Sequence, residues 1–126
     1  MDVRTREDEI RTRLADIGGP EPGAAESALL ARLIRSFIGK ISGGVELLAT
    51  LLRGGERGQL RDQAHGLKGS ASNIGADTLA AIFAEVEHGA RDGHVPDADI
   101  TLGRIHAELA LVLGVLETIA VELDAQ

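Results

Sequence analysis

A histidine, a lysine and a glycine occupy one side of a predicted helix near the middle of the chain. Lys68 and Gly69 follow His65 at three and four positions, and Ser72 comes one further turn along. Apolar residues recur through the same stretch at intervals of four and three, the spacing of a helix packed into a bundle. These apolar residues, which form the seam of this helix, are Leu60, Ala64, Leu67, Ala71 and Ile74.

The rotation of an α-helix, about 100° per residue, fixes where each polar side chain points. Relative to the centre of the seam, Lys68 lies at about 80° and His65 at about 140°. Ser72 lies at about 120° and Gly69 at about 180° on the same scale. The four residues therefore form one outward strip, and we expect His65 to project into solvent.

The residue types in this strip suit phosphoryl transfer. An exposed imidazole is largely neutral near pH 7 and offers a nucleophilic nitrogen. An ammonium one turn along, from Lys68, could offset the charge of phosphoryl oxygens. Glycine is unfavourable inside a helix, and the missing side chain at Gly69 leaves room beside His65 for a phosphoryl group or a docked partner. The members of the strip are therefore suited to phosphoryl chemistry at His65.

Composition removes several other classes of function. The 126 residues suit one domain and carry a net charge of −7 without any cysteine, which excludes disulfides and thiolate chemistry. The chain has no cluster of Lys and Arg of the kind that binds nucleic acid, and an acidic chain is repelled by anionic membranes. The charged start, Met1-Asp2-Val3-Arg4, lacks the apolar stretch of a secretory signal. We expect a cytoplasmic protein.

Glycine and proline divide the chain into five predicted helices, at about residues 7–17, 24–53, 56–73, 76–92 and 97–123. Residues 1–23 are predicted as a short helix and linker, and residues 24–126 as the main domain. The expected fold is all-α, an antiparallel up-and-down four-helix bundle with an additional short N-terminal helix. Leu29 and Ile100 are among the apolar positions assigned to the bundle helices. Gly43 and Gly44 lie inside the second helix, which either continues, bends or splits there.

Residues 64–76 read A-H-G-L-K-G-S-A-S-N-I-G-A. This segment resembles the phospho-accepting segment of histidine-containing phosphotransfer (HPt) domains, A-H-x-L-K-G-S-(S/A)-x-x-(L/I/V)-G-A. Residues 86–93 are similar to the family's L-E-x-x-A-R-x-G stretch, and the resemblance extends over about residues 25–95. Gly66 stands where the family commonly has a larger residue, and the pair Gly43-Gly44 is unusual for its second helix.

The resemblance implies a role for each site residue. His65 would accept the phosphoryl group, Lys68 would neutralise charge and Gly69 would keep the face open. Glu87 matches a family position that often holds Gln or Glu, and it would hydrogen-bond the other ring nitrogen of the histidine. We assign Ser72 and Arg61 to partner binding.

The same resemblance implies the partners. They would be response-regulator receiver domains, with a hybrid histidine kinase as a further candidate. Phosphate would pass from a receiver phospho-aspartate to His65 and on to another receiver. The chain itself would be a monomeric phosphocarrier without autokinase activity. It would need no cofactor, because the required Mg²⁺ would be bound by the receiver. Whether the domain stands alone or belongs to a hybrid kinase stays open.

Two alternative functions are a helical adaptor and a histidine phosphotransferase. A helical adaptor would dock receiver domains or a kinase through the same face without taking up phosphate. A histidine phosphotransferase would need a degenerate ATPase domain, for which 126 residues leave no room.

Other candidate chemistry is weaker. Glu85 and Glu87 are expected to be a solvated acid and a site-flanking acid rather than an acid–base couple. His88, His94 and His106 are expected to be solvated or capping residues. A zinc site needs several converging ligands, and we expect no metal site. The glycines at 54–58 lack the Lys-Ser/Thr end of a phosphate-binding loop.

Overall fold

The computed structural model describes residues 3–125 and contains five α-helices over that range. They are α1 (Val3–Gly18), α2 (Ala24–Leu52), α3 (Arg57–Ile74), α4 (Asp77–Asp92) and α5 (Ala98–Asp124). The described range contains no β-strand, and the all-α prediction is confirmed. Met1, Asp2 and Gln126, which belong to the predicted segments 1–23 and 24–126, lie outside the described residues.

Helices α2 to α5 form an up-and-down bundle. Each helix is joined to the next by a short loop and packs against it, and α5 also packs against α2. This is the geometry that short loops impose on consecutive amphipathic helices. Between residues 3 and 125, no helix is long and apolar enough to cross a membrane.

The core is aliphatic, with Phe37 and Phe83 as its aromatic members. All five residues of the α3 seam are buried, as the four-and-three spacing predicts. Burying a side chain of Leu or Ile size contributes about 1.5–3 kcal/mol, so this seam fixes the rotation of α3 about its axis. The opposite side of α3 is thereby presented to solvent.

Two apolar positions assigned to the bundle lie at its surface instead. Leu29 is 44% exposed and Ile100 is 68% exposed. Leu29 lies between the buried Ser27 and Leu30 of α2, and Ile100 precedes the buried Thr101 and Leu102 of α5. A helix turns by about 100° per residue, so these two side chains point away from the core while their neighbours point into it.

Helix α2 runs without interruption through the glycine pair. A Cβ atom on Gly44 would lie 2.7 Å from Cδ2 of Leu67, so the absence of a side chain allows α2 to approach α3 closely. Gln63 Nε2 donates a hydrogen bond to the Gly44 carbonyl at 2.9 Å across the same contact. Gly43 faces open space. Gly44 therefore serves packing against α3, and the helix needs no break.

The end of α3 is defined by Gly75, which has a left-handed φ of 88°. The amide of Ala76 donates to the Ala71 carbonyl at 2.9 Å and that of Gly75 to the Ser72 carbonyl at 3.1 Å, which closes the helix in a Schellman motif. A Cβ atom on Gly75 would also lie 2.7 Å from Cβ of Arg13 in α1. Glycine is thus required here both for the turn and for the approach of α1.

Helix α1 packs at the end of the bundle where α3 and α5 finish. Its apolar residues Ile10 and Leu14 join the core. Arg6 Nε donates to Glu108 Oε2 of α5 at 2.8 Å, and Arg13 Nε donates to the Asn73 carbonyl of α3 at 3.0 Å. A cation beside the last carbonyls of a helix is favourable, so Arg13 also supports the end of α3.

Candidate functional site

His65 lies in the middle of α3, on the side that faces α4. Its side chain is 67% exposed, and its Nδ1 atom lies 2.8 Å from Oε2 of Glu87 in α4. The seam residues hold α3 so that the ring stands outside the core. Glu87 comes one residue after the buried Val86, at the border of the α3–α4 contact. Close packing of the two helices therefore brings the carboxylate to the ring.

Lys68 binds the other oxygen of the same carboxylate. Its Nζ atom lies 2.8 Å from Glu87 Oε1, and the side chains of Lys68 and Glu87 are 31% and 13% exposed. One carboxylate thus connects the histidine to the lysine. We call His65, Lys68 and Glu87 the site triad.

The ionisation of Glu87 follows from these contacts. Its hydrogen bond with Lys68, and after it the one with His65, holds the pKa of Glu87 below its ordinary value, although partial burial acts in the opposite direction. Glu87 is therefore a carboxylate near neutral pH, and a carboxylate can only accept hydrogen bonds.

An accepting carboxylate at Nδ1 fixes the proton on the histidine ring. In neutral imidazole one nitrogen carries the proton and the other a lone pair, and the hydrogen bond made by one nitrogen decides the choice. Nδ1 of His65 is therefore the donor to Glu87, and Nε2 carries the lone pair. The arrangement is suited to nucleophilic attack by Nε2 from a largely exposed ring.

The remaining predicted residues lie around the triad. Gly69 is exposed, and a Cβ atom placed on it would meet nothing within 4 Å. The space it leaves therefore lies open to a partner and is not filled by the chain's own atoms. Gly66 is equally open. Ser72 is exposed, and Arg61 is exposed and pairs with its neighbour Asp62.

A groove on the other flank of α3 was not predicted from the sequence. It has a volume of about 210 Å³ and lies between α2 and α3, close to the triad along the helix. We call it the α2–α3 groove. The sequence signal for this groove is Ser70, because the helical rotation turns this residue away from the triad and toward α2. The groove is lined by Leu33, Ser36, Phe37, Lys40, Ile41, Leu67, Ser70, Asn73 and Ile74.

The second acid on α4 does not join the site. Glu85 pairs with Arg104 of α5 at 2.9 Å, on the opposite side of α4 from Glu87. His88, His94 and His106 are all exposed. Among residues 3–125, no three side chains of the metal-binding types converge closely enough to hold an ion.

Comparison with known families gives one match. The family model described as Hpt domain matches residues 32–118, which contain most of α2, all of α3 and α4 and most of α5. No curated protein and no solved structure matches the chain significantly. Helix α1 lies outside the matched region.

Proposed function

Because the chain belongs to the Hpt family, the phosphotransfer domains of two-component systems, we propose that His65 accepts a phosphoryl group from a receiver-domain phospho-aspartate and passes it to another receiver. The observation that carries the proposal is the hydrogen bond between His65 Nδ1 and Glu87 on a ring that is 67% exposed. It leaves Nε2 as the free nucleophile at the surface.

The proposed step forms a bond between Nε2 and phosphorus while the bond from phosphorus to the aspartyl oxygen breaks. The electron pair of that second bond stays on the aspartate, and the Nδ1 proton stays on the ring. Phosphoryl transfer has a loose transition state, so positioning and charge placement supply most of the catalysis. The Mg²⁺ that supports the reaction would be held by the receiver.

The distribution of charge supports a partner on the α2–α3 side of the molecule. Residues 27–76 contain seven Lys and Arg against three Asp and Glu, whereas the remainder contains six against seventeen. Residues 27–76, which include His65, thus carry a net positive charge within an acidic protein. Charge complementarity speeds association with an acidic partner surface. The α2–α3 groove and the open faces of Gly66 and Gly69 add apolar and close-approach surface on this side.

The test is transfer of phosphate from receivers to specific variants. Receiver domains are phosphorylated with acetyl phosphate and mixed with wild type, His65→Gln and His88→Gln, the last being a matched change of an exposed histidine. We expect acid-labile phosphate on wild type and His88→Gln and none on His65→Gln. Mass spectrometry of the labelled peptide identifies the residue. Label on any residue other than His65 would contradict the assignment.

The adaptor alternative gives a different result in the same assay. An adaptor binds the receiver but leaves wild type unlabelled, so a binding measurement on the same samples separates the two functions. Family members are phosphocarriers rather than catalysts. Our proposal for this chain is accordingly a monomeric cytoplasmic carrier without autokinase activity, and incubation with ATP alone should leave it unlabelled.

A further inference from the structure

The exposed ring of His65 has side chains beside it toward α4 and a bare backbone beside it toward α2. On the α4 side, Oε2 of Glu87 lies 2.8 Å from Nδ1, and Lys68 binds the other oxygen of that carboxylate. On the α2 side the next residue is Gly66, which is helical and exposed. Because a helix turns by about 100° per residue, Gly66 lies between His65 and the flank of α3 that borders the α2–α3 groove. An approach to the ring from the α2 side therefore passes over Gly66.

The residues around Gly66 leave this approach open. A Cβ atom placed on Gly66 would meet nothing within 4 Å. Gln63, one turn earlier, is held toward α2 by the hydrogen bond that its Nε2 donates to the Gly44 carbonyl at 2.9 Å. Leu67 is buried, and Gly69, one turn later, has no side chain. A partner can therefore reach the backbone of α3 between His65 and the groove.

The packing of the protein itself does not require glycine at position 66. Gly44 and Gly75 are required, because a Cβ atom on either would lie 2.7 Å from a side-chain carbon of another helix. Gly66 has no such neighbour, and inside a helix glycine is less favourable than alanine. This local loss of stability occurs next to the proposed phospho-accepting residue, which is where a partner must come closest.

We propose that Gly66 is a specificity-determining residue for phosphotransfer. It admits receivers that place an apolar side chain across α3 beside His65, and a side chain at position 66 would exclude them. The partner group is apolar because the groove beyond Gly66 is lined by residues such as Phe37, Ile41 and Leu67. Discrimination then comes from a steric clash that some receivers meet and others do not. This inference rests on the proposed function of His65.

Two phosphoryl donors of different size separate this role from the chemistry at His65. The variant is Gly66→Thr, and threonine is no less favourable than glycine in a helix. With the receiver that phosphorylates wild type fastest, we expect transfer at low receiver concentration to slow by roughly tenfold, because a group added to a close contact is unfavourable. With phosphoramidate, which needs no receiver, we expect a rate within about twofold of wild type. Unchanged transfer from the receiver, or equal slowing with both donors, would overturn the proposal.

The choice among receivers gives a second measurement. A receiver that phosphorylates wild type slowly does not use the open position, so we expect Gly66→Thr to change its rate by less than about twofold. The ratio between the fast and the slow receiver should therefore fall in this variant. Equal slowing of both receivers would show that position 66 does not discriminate between them, which would also overturn the proposal.

Gly114→Thr supplies the matched control. Gly114 is also helical and exposed, and a Cβ atom on it would meet nothing within 4 Å. It belongs to α5, which packs against α1, α2 and α4. We expect Gly114→Thr to leave the rates with both donors unchanged.

Gly66→Ala separates an effect on docking from an effect on folding. Because alanine is favoured inside a helix, this variant should unfold at a higher urea concentration than wild type. It should nevertheless accept phosphate from the fast receiver more slowly than wild type, by a smaller factor than Gly66→Thr. A lower unfolding midpoint would overturn the proposal, because it would mean that position 66 is not open. Labelling of wild type at His65 tests the proposed function by itself, so its failure is distinguishable from a failure of this inference.

Discussion

Two of the charged groups that join helices in this molecule differ in burial, and burial separates their roles. The first is the Arg6–Glu108 pair between α1 and α5, in which each side chain is 7% exposed. The second is the site triad between α3 and α4, where Glu87 is 13% exposed but His65 is 67% exposed. Both depend on a carboxylate held by a cation. Of these two groups, only the triad exposes to solvent a nitrogen that could act as a nucleophile.

The comparison shows how a reactive site differs from a structural ion pair of similar chemistry. Arg6 and Glu108 are enclosed, so neither can meet a partner protein, and their energetic effect falls on folding. In the triad, a partly buried carboxylate orients an exposed ring, and its effect falls on the ring's tautomer. Changes at the first group should therefore alter stability, and changes at the second should alter chemistry.

The largest expected effect on stability is that of Arg6→Met. Removing one partner of a buried ion pair leaves the other charge uncompensated, which costs about 3–5 kcal/mol. We expect the free energy of unfolding, measured with urea, to fall by that amount. His65→Gln, at an exposed position, should change it by less than about 0.5 kcal/mol.

A second variant tests the reason for that loss. Replacing both partners, in Arg6→Met with Glu108→Leu, removes the uncompensated charge and should recover most of the lost stability. If the double variant were as unstable as Arg6→Met alone, the loss would come from packing of the Arg6 side chain and not from the stranded Glu108 charge. Burial of a charge would then not explain why changes at the Arg6–Glu108 pair alter stability.

Substitutions of two glycines, Gly69 within α3 and Gly75 at its end, should have opposite effects of intermediate size on stability. Gly75→Ala should destabilise the fold, since a left-handed backbone costs about 1–2 kcal/mol with a side chain and the new Cβ atom would lie 2.9 Å from the Glu9 carbonyl oxygen of α1. Gly69→Ala should stabilise it by about 0.5–1 kcal/mol, because the position is helical and open. Thermal unfolding followed by circular dichroism measures both changes. A destabilising Gly69→Ala would show that the side of α3 near His65 is not free.

The sequence was sufficient for the helices and for the outward position of His65. The regular spacing of the α3 seam fixes the rotation of that helix, and every other residue on it then has a known direction. The contact of Glu87 with His65 was anticipated only through the family resemblance. The continuity of α2 was not predictable, because it depends on Leu67 of another helix meeting Gly44.

The buried pair Arg6–Glu108 was missed, although its signal is present. Arg6 lies four residues before Ile10 and eight before Leu14, on the apolar side of α1. Glu108 lies between Ile105 and Val112 on the apolar side of α5. A charged residue at an apolar position indicates a buried partner, but the sequence of one helix does not say which residue of another helix supplies it.

The smallest expected effect is a contrast in pH dependence between Glu87 and Glu9 of α1. The pKa of Glu87 is lowered, chiefly by its hydrogen bond with Lys68, so its contribution to stability is present above the ordinary carboxyl pKa and is lost as pH falls through the lowered value. The pKa of Glu9 is raised, chiefly by burial and then by Asp77, so its contribution is complete at low pH and is lost as pH rises through the raised value.

These signs predict opposite behaviour of two matched amide variants. Near neutral pH, Glu87→Gln should be less stable than wild type and Glu9→Gln more stable, and both differences should shrink toward about pH 3 as the carboxylates become protonated. Urea unfolding of the three proteins across this range measures the differences. Parallel stability–pH curves for the two variants would contradict the contrast. They would mean that the Glu9 carboxylate, beside the buried Arg6–Glu108 pair, affects stability in the same way as the Glu87 carboxylate between Lys68 and His65.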